Sequence, residues 1–174
     1  MPYRLPAFAL IIAAITVPFA SAQTAEPASK SPVASSANAR FDANASAALL
    51  AMQARAAELK ITGVAVLAYF DGTKPQSWNS RMLVVGRMKD DPKGTDKGSN
   101  LLSIAYAKAS EMADTLKNSG SQVRPPMTGE FGWQGGVIVP CASGYLISAF
   151  SGGKSEDDVL VSRAGVEALA PRMK

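Results

Sequence analysis

Seven uncharged residues, Val64-Ala65-Val66-Leu67-Ala68-Tyr69-Phe70, stand between Gly63 and the turn-forming pair Asp71-Gly72. Valine, tyrosine and phenylalanine fit a pleated, packed surface better than a helix. The stretch is too short for a helix with its own caps, and it is bounded at both ends by turn residues, so it predicts a strand. Asp-Gly reverses the chain. The next strand-like stretch, Arg81–Gly86, follows a loop containing Pro75 and predicts the return strand of a hairpin with an extended connection.

Helices bracket this hairpin. Leu49, Met52, Ala56 and Leu59 recur at helical spacing, which predicts a first helix from Asp42 or Ala43 to Leu59, with Asp42 as N-cap and Gly63 beyond its end. Lys89–Asn100 is polar, glycine-bearing and charged with both signs, so it predicts an exposed loop. Its Asp90, Asp91 and Asp96 do not have the spacing of a calcium loop. Leu101, Ala105, Ala109, Met112 and Leu116 predict a second, slim helix over 101–116, capped by Ser99 or Asn100, with Lys108 and Glu111 spaced to pair. Asn118–Glu130 predicts a long irregular loop. Gly136–Cys141 and Tyr145–Phe150 predict a second hairpin through Ala142-Ser143-Gly144, with Pro140 marking an edge or bulge. Ser155–Leu169 predicts a last helix capped by Ser155, with Glu156, Asp157 and Asp158 at its positive end. The fold expected is α+β, a single mostly antiparallel sheet of about five strands flanked by three or more helices.

The N-terminus predicts export. Arg4 precedes an apolar stretch, Ala7–Phe19, and Ala20-Ser21-Ala22 fits a small-x-small cleavage site, so residues 1–22 are expected to be a signal peptide and the mature chain to start at Gln23. The apolar stretch falls short of the ~20 residues that span a bilayer. The expected location is periplasmic or secreted, with no embedding in the membrane after cleavage. Residues 23–40, rich in Ala, Ser and Pro, predict a flexible linker, and residues 41–174 the folded domain.

The chain has no histidine and one cysteine among its 174 residues. Ser-His-Asp and Cys-His catalysis, histidine-bound zinc and histidine-ligated haem are therefore excluded. Cys141 cannot pair within the chain and reads as a small buried hydrophobe, with a reactive or intermolecular thiol as the sharper alternative. The formal charge is +4, from 18 basic and 14 acidic residues. The basic residues are scattered without a run that tracks phosphates, so nucleic acid is not an expected partner.

Phe131-Gly132-Trp133-Gln134-Gly135-Gly136 places two aromatics beside a bare backbone. A ligand pocket is one reading. Phe131 and Trp133 would stack on a planar molecule. Gly135 and Gly136 would let the main chain approach it. Arg87, Lys108 or Arg124 would pair with its carboxylates. Ser151-Gly152-Gly153, at a helix N-terminus, would offer N–H groups to an anion. The other reading is architectural: aromatics covering the sheet or an oligomer interface, glycines serving turns, Lys108 bound to Glu111. Glu111 and Glu130 are the available carboxylates for acid–base work, with nothing in the sequence that brings them together.

Several segments together resemble the GlcG/HbpS-like family, also called the haem-degrading family, which includes the C-terminal domain of PduO-type proteins. The resemblance is carried by Gly135-Gly136-Val137-Ile138-Val139, the turn at Ser143-Gly144, Ser151-Gly152-Gly153 before an acidic helix start, Ile104-Ala105-Tyr106-Ala107-Lys108-Ala109, Val84-Val85-Gly86-Arg87-Met88, and the alanine-rich first helix leading into Gly63-Val64-Ala65-Val66. It spans roughly residues 43–170. It implies a small α+β domain that assembles into homo-oligomers, in a family of which some members bind haem or another tetrapyrrole, some are linked to haem breakdown or sensing, and many have no assigned activity. No metal site is assigned to the chain's own residues. Where haem is degraded, the iron would supply the chemistry. Met88, Met112, Met127, Tyr106 and Cys141 are candidate axial ligands by chemistry alone, none of them is assigned, and no catalytic residue is assigned. The chain departs from the family in lacking histidine, in having Lys154-Ser155 where Thr-Pro is common, and in carrying the Asn118–Glu130 insertion. The sequence thus leads to an exported binding protein for a planar, anionic small molecule. Its alternatives are an interaction module built on residues 131–136 and the Lys89–Asn100 loop, or an accessory protein of small organic acid metabolism.

Overall fold

The computed structural model describes residues 32–174, with side chains from residue 36 onward. The expected signal peptide and the first part of the expected linker lie outside the described residues. The fold is α+β. A four-stranded antiparallel sheet has the order β2-β1-β6-β5, from β1 (Gly63–Asp71), β2 (Asn79–Val85), β5 (Gly136–Pro140) and β6 (Gly144–Ser151). β3 (Lys89–Asp90) and β4 (Ser99–Asn100) form a separate two-stranded ribbon at the ends of the 89–100 segment. The expected strands are therefore divided between two sheets.

Three helices, α1 (Pro32–Glu58), α2 (Leu101–Thr115) and α3 (Ser155–Leu169), cover the sheet on both faces, and a short 3-10 turn follows at Ala170–Met173. Ala65, Leu67 and Tyr69 of β1, with Leu146 and Phe150 of β6, pack against α1 and α3. Val64, Val66, Ala68 and Phe70, with Ile147 and Ala149, pack against α2. Strand β1 is thus buried on both faces, which explains its unbroken apolar run, whereas a half-exposed strand would alternate.

α1 begins ten residues before the expected start. Pro32 occupies its first turn, where a missing N–H costs nothing. Ala37, Phe41, Ala45 and Ala48 extend the buried stripe backwards from Met52 and Ala56. Residues 32–40 are therefore helix rather than linker. Asp42 lies inside the helix and pairs with Arg81 instead of capping. The helix ends through Lys60 in the left-handed conformation, with Ile61 N–H donating to the Ala56 carbonyl, a Schellman-type closure upstream of Gly63.

α2 begins as expected: the Asn100 side chain accepts from the Ser103 N–H at 3.0 Å. α3 does not. Its first turn follows Lys154, and no side chain caps at that position. Asp158, one turn in, accepts the N–H of Gly153 at 2.8 Å instead. Pro140 does lie on an edge strand. Cys141 is half-buried against the core, and burial pushes its thiol above the usual value. Among the described residues, no helix is long and apolar enough to cross a membrane.

Candidate functional site

The end of β6, the first turn of α3, the first half of α2 and the segment before β5 converge on a cavity of about 170 Å³. Lys108, Trp133, Ser151, Gly152 and Gly153 line it, as does Asp158. Five of the residues singled out from sequence are therefore together.

The floor of the cavity is an ion pair. Lys108 Nζ donates to Asp158 Oδ2 and to the Phe150 carbonyl, each at 2.8 Å. The side chains are 3% and 4% exposed. Lys108 therefore pairs with a helix fifty residues away, not with Glu111. Glu111 turns to the other side, and its Oε1 accepts from the Gly120 N–H at 2.8 Å. Burial pulls the Lys108 ammonium below its usual pKa and pushes the Asp158 carboxyl above its own. Their mutual contact opposes both shifts, as do the N–H groups of Gly152 and Gly153 on Asp158.

At Ser151-Gly152-Gly153 the N–H groups of Gly152 and Gly153 turn to an internal carboxylate, that of Asp158. Asp158 takes the N–H groups and the lysine that a bound anion would have used. Gly135 belongs to the same arrangement. It has φ of +132°, and a Cβ at that position would lie 2.2 Å from Lys108 Nζ. Its carbonyl accepts from the Phe150 N–H and from Ser162 Oγ at 2.7 Å. The bare backbone is required so that the chain can cross directly over the ion pair.

The other expected residues have different duties. Gly136 opens β5, where a Cβ would meet Met112 Cε at 2.3 Å, so it serves packing against α2. Arg87 braces the site from behind. Its guanidinium binds the Thr62 carbonyl and hydroxyl, the Gly152 carbonyl at 2.8 Å and Asp90 at 2.7 Å. Arg124 is remote from the small cavity and grips Asp114 and Glu130. Glu130 is held at about 2, far below the usual 4.5, chiefly by its hydrogen bonds from Arg124. Glu111 and Glu130 are separately engaged and do not form a catalytic pair.

Phe131 and Trp133 point outward. They are 44% and 50% exposed, with ring centroids 4.8 Å apart and planes 30° from parallel. Trp133 lines the small cavity and Phe131 stands against its ring. Besides a cavity of about 260 Å³ along residues 88–100, two still larger ones lie elsewhere. One of about 610 Å³ lies between the 73–78 loop and α2, beside Trp78 and Asp114. The other, about 450 Å³, lies under the 122–126 segment beside Glu111 and Arg124. Volume favours these two, but only the small cavity gathers the aromatic wall, the glycine turn and the buried charges.

Sequence reasoning missed Asp158 as a member of the site, along with Asp90, Ser99, Gln134 and Ser155 on its walls. A signal for Asp158 was present: a lysine amid the alanines of an otherwise apolar helix face needs a buried partner, and three acids stand at the start of α3. Among the described residues there is no cluster of three or more histidine, cysteine or acidic side chains able to hold a metal ion.

No protein-family model matches the chain, and no curated protein matches it.

Proposed function

We propose that this protein is a small-ligand-binding module that takes a planar, anionic molecule, haem or a related tetrapyrrole, on the outward face of Phe131 and Trp133. The observation that carries the reading is that these two rings lie against each other, tilted by 30° and half-exposed, with Trp133 on the wall of the 170 Å³ cavity. Two adjacent exposed aromatics form an apolar patch outside the two core clusters, and the free ring faces can take a planar ligand.

A tetrapyrrole fits this surface but not an enclosed pocket. Sites that engulf such ligands run from about 300 Å³ upward, and this cavity is smaller. Arg87, Lys108 and Arg124 are spent on internal partners. Lys154, exposed and in sequence between the cavity-lining Gly153 and Ser155, is a cation that would meet a carboxylate. Phe131 and Trp133 would therefore hold the macrocycle by stacking, with no histidine ligand to the metal. Bound iron would bring its own redox chemistry, and the chain's residues would bind and orient.

A Soret titration tests this. Saturable binding that Trp133→Ala weakens about tenfold supports the reading. A spectrum equal to that of haem beside an inert protein overturns it.

A second reading, a protein-interaction module, draws on the exposure of Val123 and Met127 in the same 118–134 segment as the two aromatics. If it holds, Trp133→Ala changes the assembly mass and leaves haem uptake untouched.

A further inference from the structure

The two edges of the four-stranded sheet are built differently. On β5 the outward backbone groups belong to residues 136, 138 and 140, because 137 and 139 face β6. All three outward N–H positions are closed. Gly136 N–H donates to Ser119 Oγ at 2.8 Å, Ile138 N–H donates to Asn118 Oδ1 at 3.0 Å, and Pro140 has no N–H. The insertion that follows α2 thus seals this edge against further pairing.

β2 forms the other edge. Phe150 N–H donates to Gly135, which fixes the alternation of hydrogen bonds across the sheet. Residues 79, 81, 83 and 85 then bond β1, and Ser80, Met82 and Val84 turn their N–H and carbonyl groups outward. Among the described residues, none of those three N–H groups has a partner. Only the Ser80 carbonyl does, from the exposed side chain of Arg81. Val84 is 39% exposed and Met82 half-buried, so the open edge is also apolar.

We propose that β2 is an assembly seam, and that its occupant is β2 of a second copy of this chain, antiparallel and two-fold about Met82. The sequence around that centre suits such a pairing. Met82 meets its own copy, and Ser80 lies opposite Val84. Arg81 lies opposite Leu83, so no like charges face each other, and Arg81 is already neutralised by Asp42. Met82 and Val84 of both copies would then form one continuous apolar strip. Because the β5 edge is sealed, pairing through β2 joins two subunits and stops, and no open-ended sheet grows.

The test is the mass of the purified full-length chain by light scattering at rising concentration. The wild type is expected at twice the chain mass or an even multiple of it. Val84→Lys puts a charge on the seam while leaving the main-chain bonds from β2 to β1 in place, and should halve that mass, with far-UV circular dichroism unchanged. Met82→Pro removes an outward N–H together with a half-buried side chain that packs on the α2-side core, and should do the same while the far-UV signal shows the fold retained. Ile138→Lys, on the sealed edge, should leave the mass as in the wild type. A monomeric wild type, or an assembly that survives both β2 substitutions, overturns the proposal.

Discussion

Lys108 and Arg124 each tie distant parts of the chain to carboxylates, yet they do opposite work. Lys108 is buried with one carboxylate partner, and its contacts join α2, β6 and α3. Arg124 keeps 26% of its side chain in solvent and holds two carboxylates, the exposed Asp114 and a Glu130 that the guanidinium covers to 6% exposure, joining the end of α2 to a surface segment. A buried ion that loses its partner must be neutralised or solvated, which is expensive in an apolar interior. A surface ion that loses its partner turns to water. The first pair is therefore part of the fold, and the second is a fastening on the segment that carries the aromatic rings.

The largest expected effect follows from that contrast. Asp158→Asn leaves the Lys108 ammonium buried opposite an amide and should cost roughly 3 kcal/mol or more in denaturant unfolding. Lys108→Met should cost a similar amount. The double variant should cost less than the sum of the two, which a double-mutant cycle measures. Additive costs would remove the pair from its central place.

Gly135→Ala comes next, at roughly 2 kcal/mol. It combines a left-handed backbone with a methyl group directed at Lys108 Nζ, and a fall in melting temperature reads it. A neutral result would mean that the 131–135 segment slides off the ion pair without cost.

Glu130→Gln should leave global unfolding nearly unchanged and loosen the 118–134 segment, seen as faster amide exchange confined to those residues. If the whole domain loses stability instead, the surface clamp is as integral as the buried one.

The smallest effect is on pH. The Glu130 pKa is lowered on folding, so its contribution is full above about 4.5 and is lost as the pH falls toward about 2. The Asp158 pKa is raised on folding, so protonation of that group favours the folded state as pH falls and gives no acid lability of its own. Between pH 5 and 2.5 the Trp133 segment should therefore loosen before the helices melt, with indole fluorescence changing ahead of the far-UV signal.

Local patterns made the sheet legible. The apolar run of β1, the Asp71-Gly72 turn and the glycine-bounded C-terminal hairpin each specify a strand without help from the rest of the chain. The N-terminal half of α1 was not legible. Alanine is as common in linkers as in slim helices, and only packing against α3 and the sheet shows that Ala37, Ala45 and Ala48 form a buried stripe. The candidate site was readable as a set of residue types but not as a set of partners. Lys108 had an acid three residues away at helical spacing, and only tertiary structure shows that the acid fifty residues away is the one that reaches it. The glycine turn suggested an anion, and the anion proved to be the protein's own side chain.

Under the proposed function, a flat ligand would rest on Trp133 through its ring and not through a metal. The two indole N–H signals of the chain are the most direct probe, recorded by heteronuclear NMR while iron-free protoporphyrin IX is titrated in. The porphyrin ring current should shift the Trp133 signal strongly and saturably and leave that of Trp78, on the 610 Å³ cavity, in place. A shift confined to Trp78, or binding that appears only when iron is present, would contradict it.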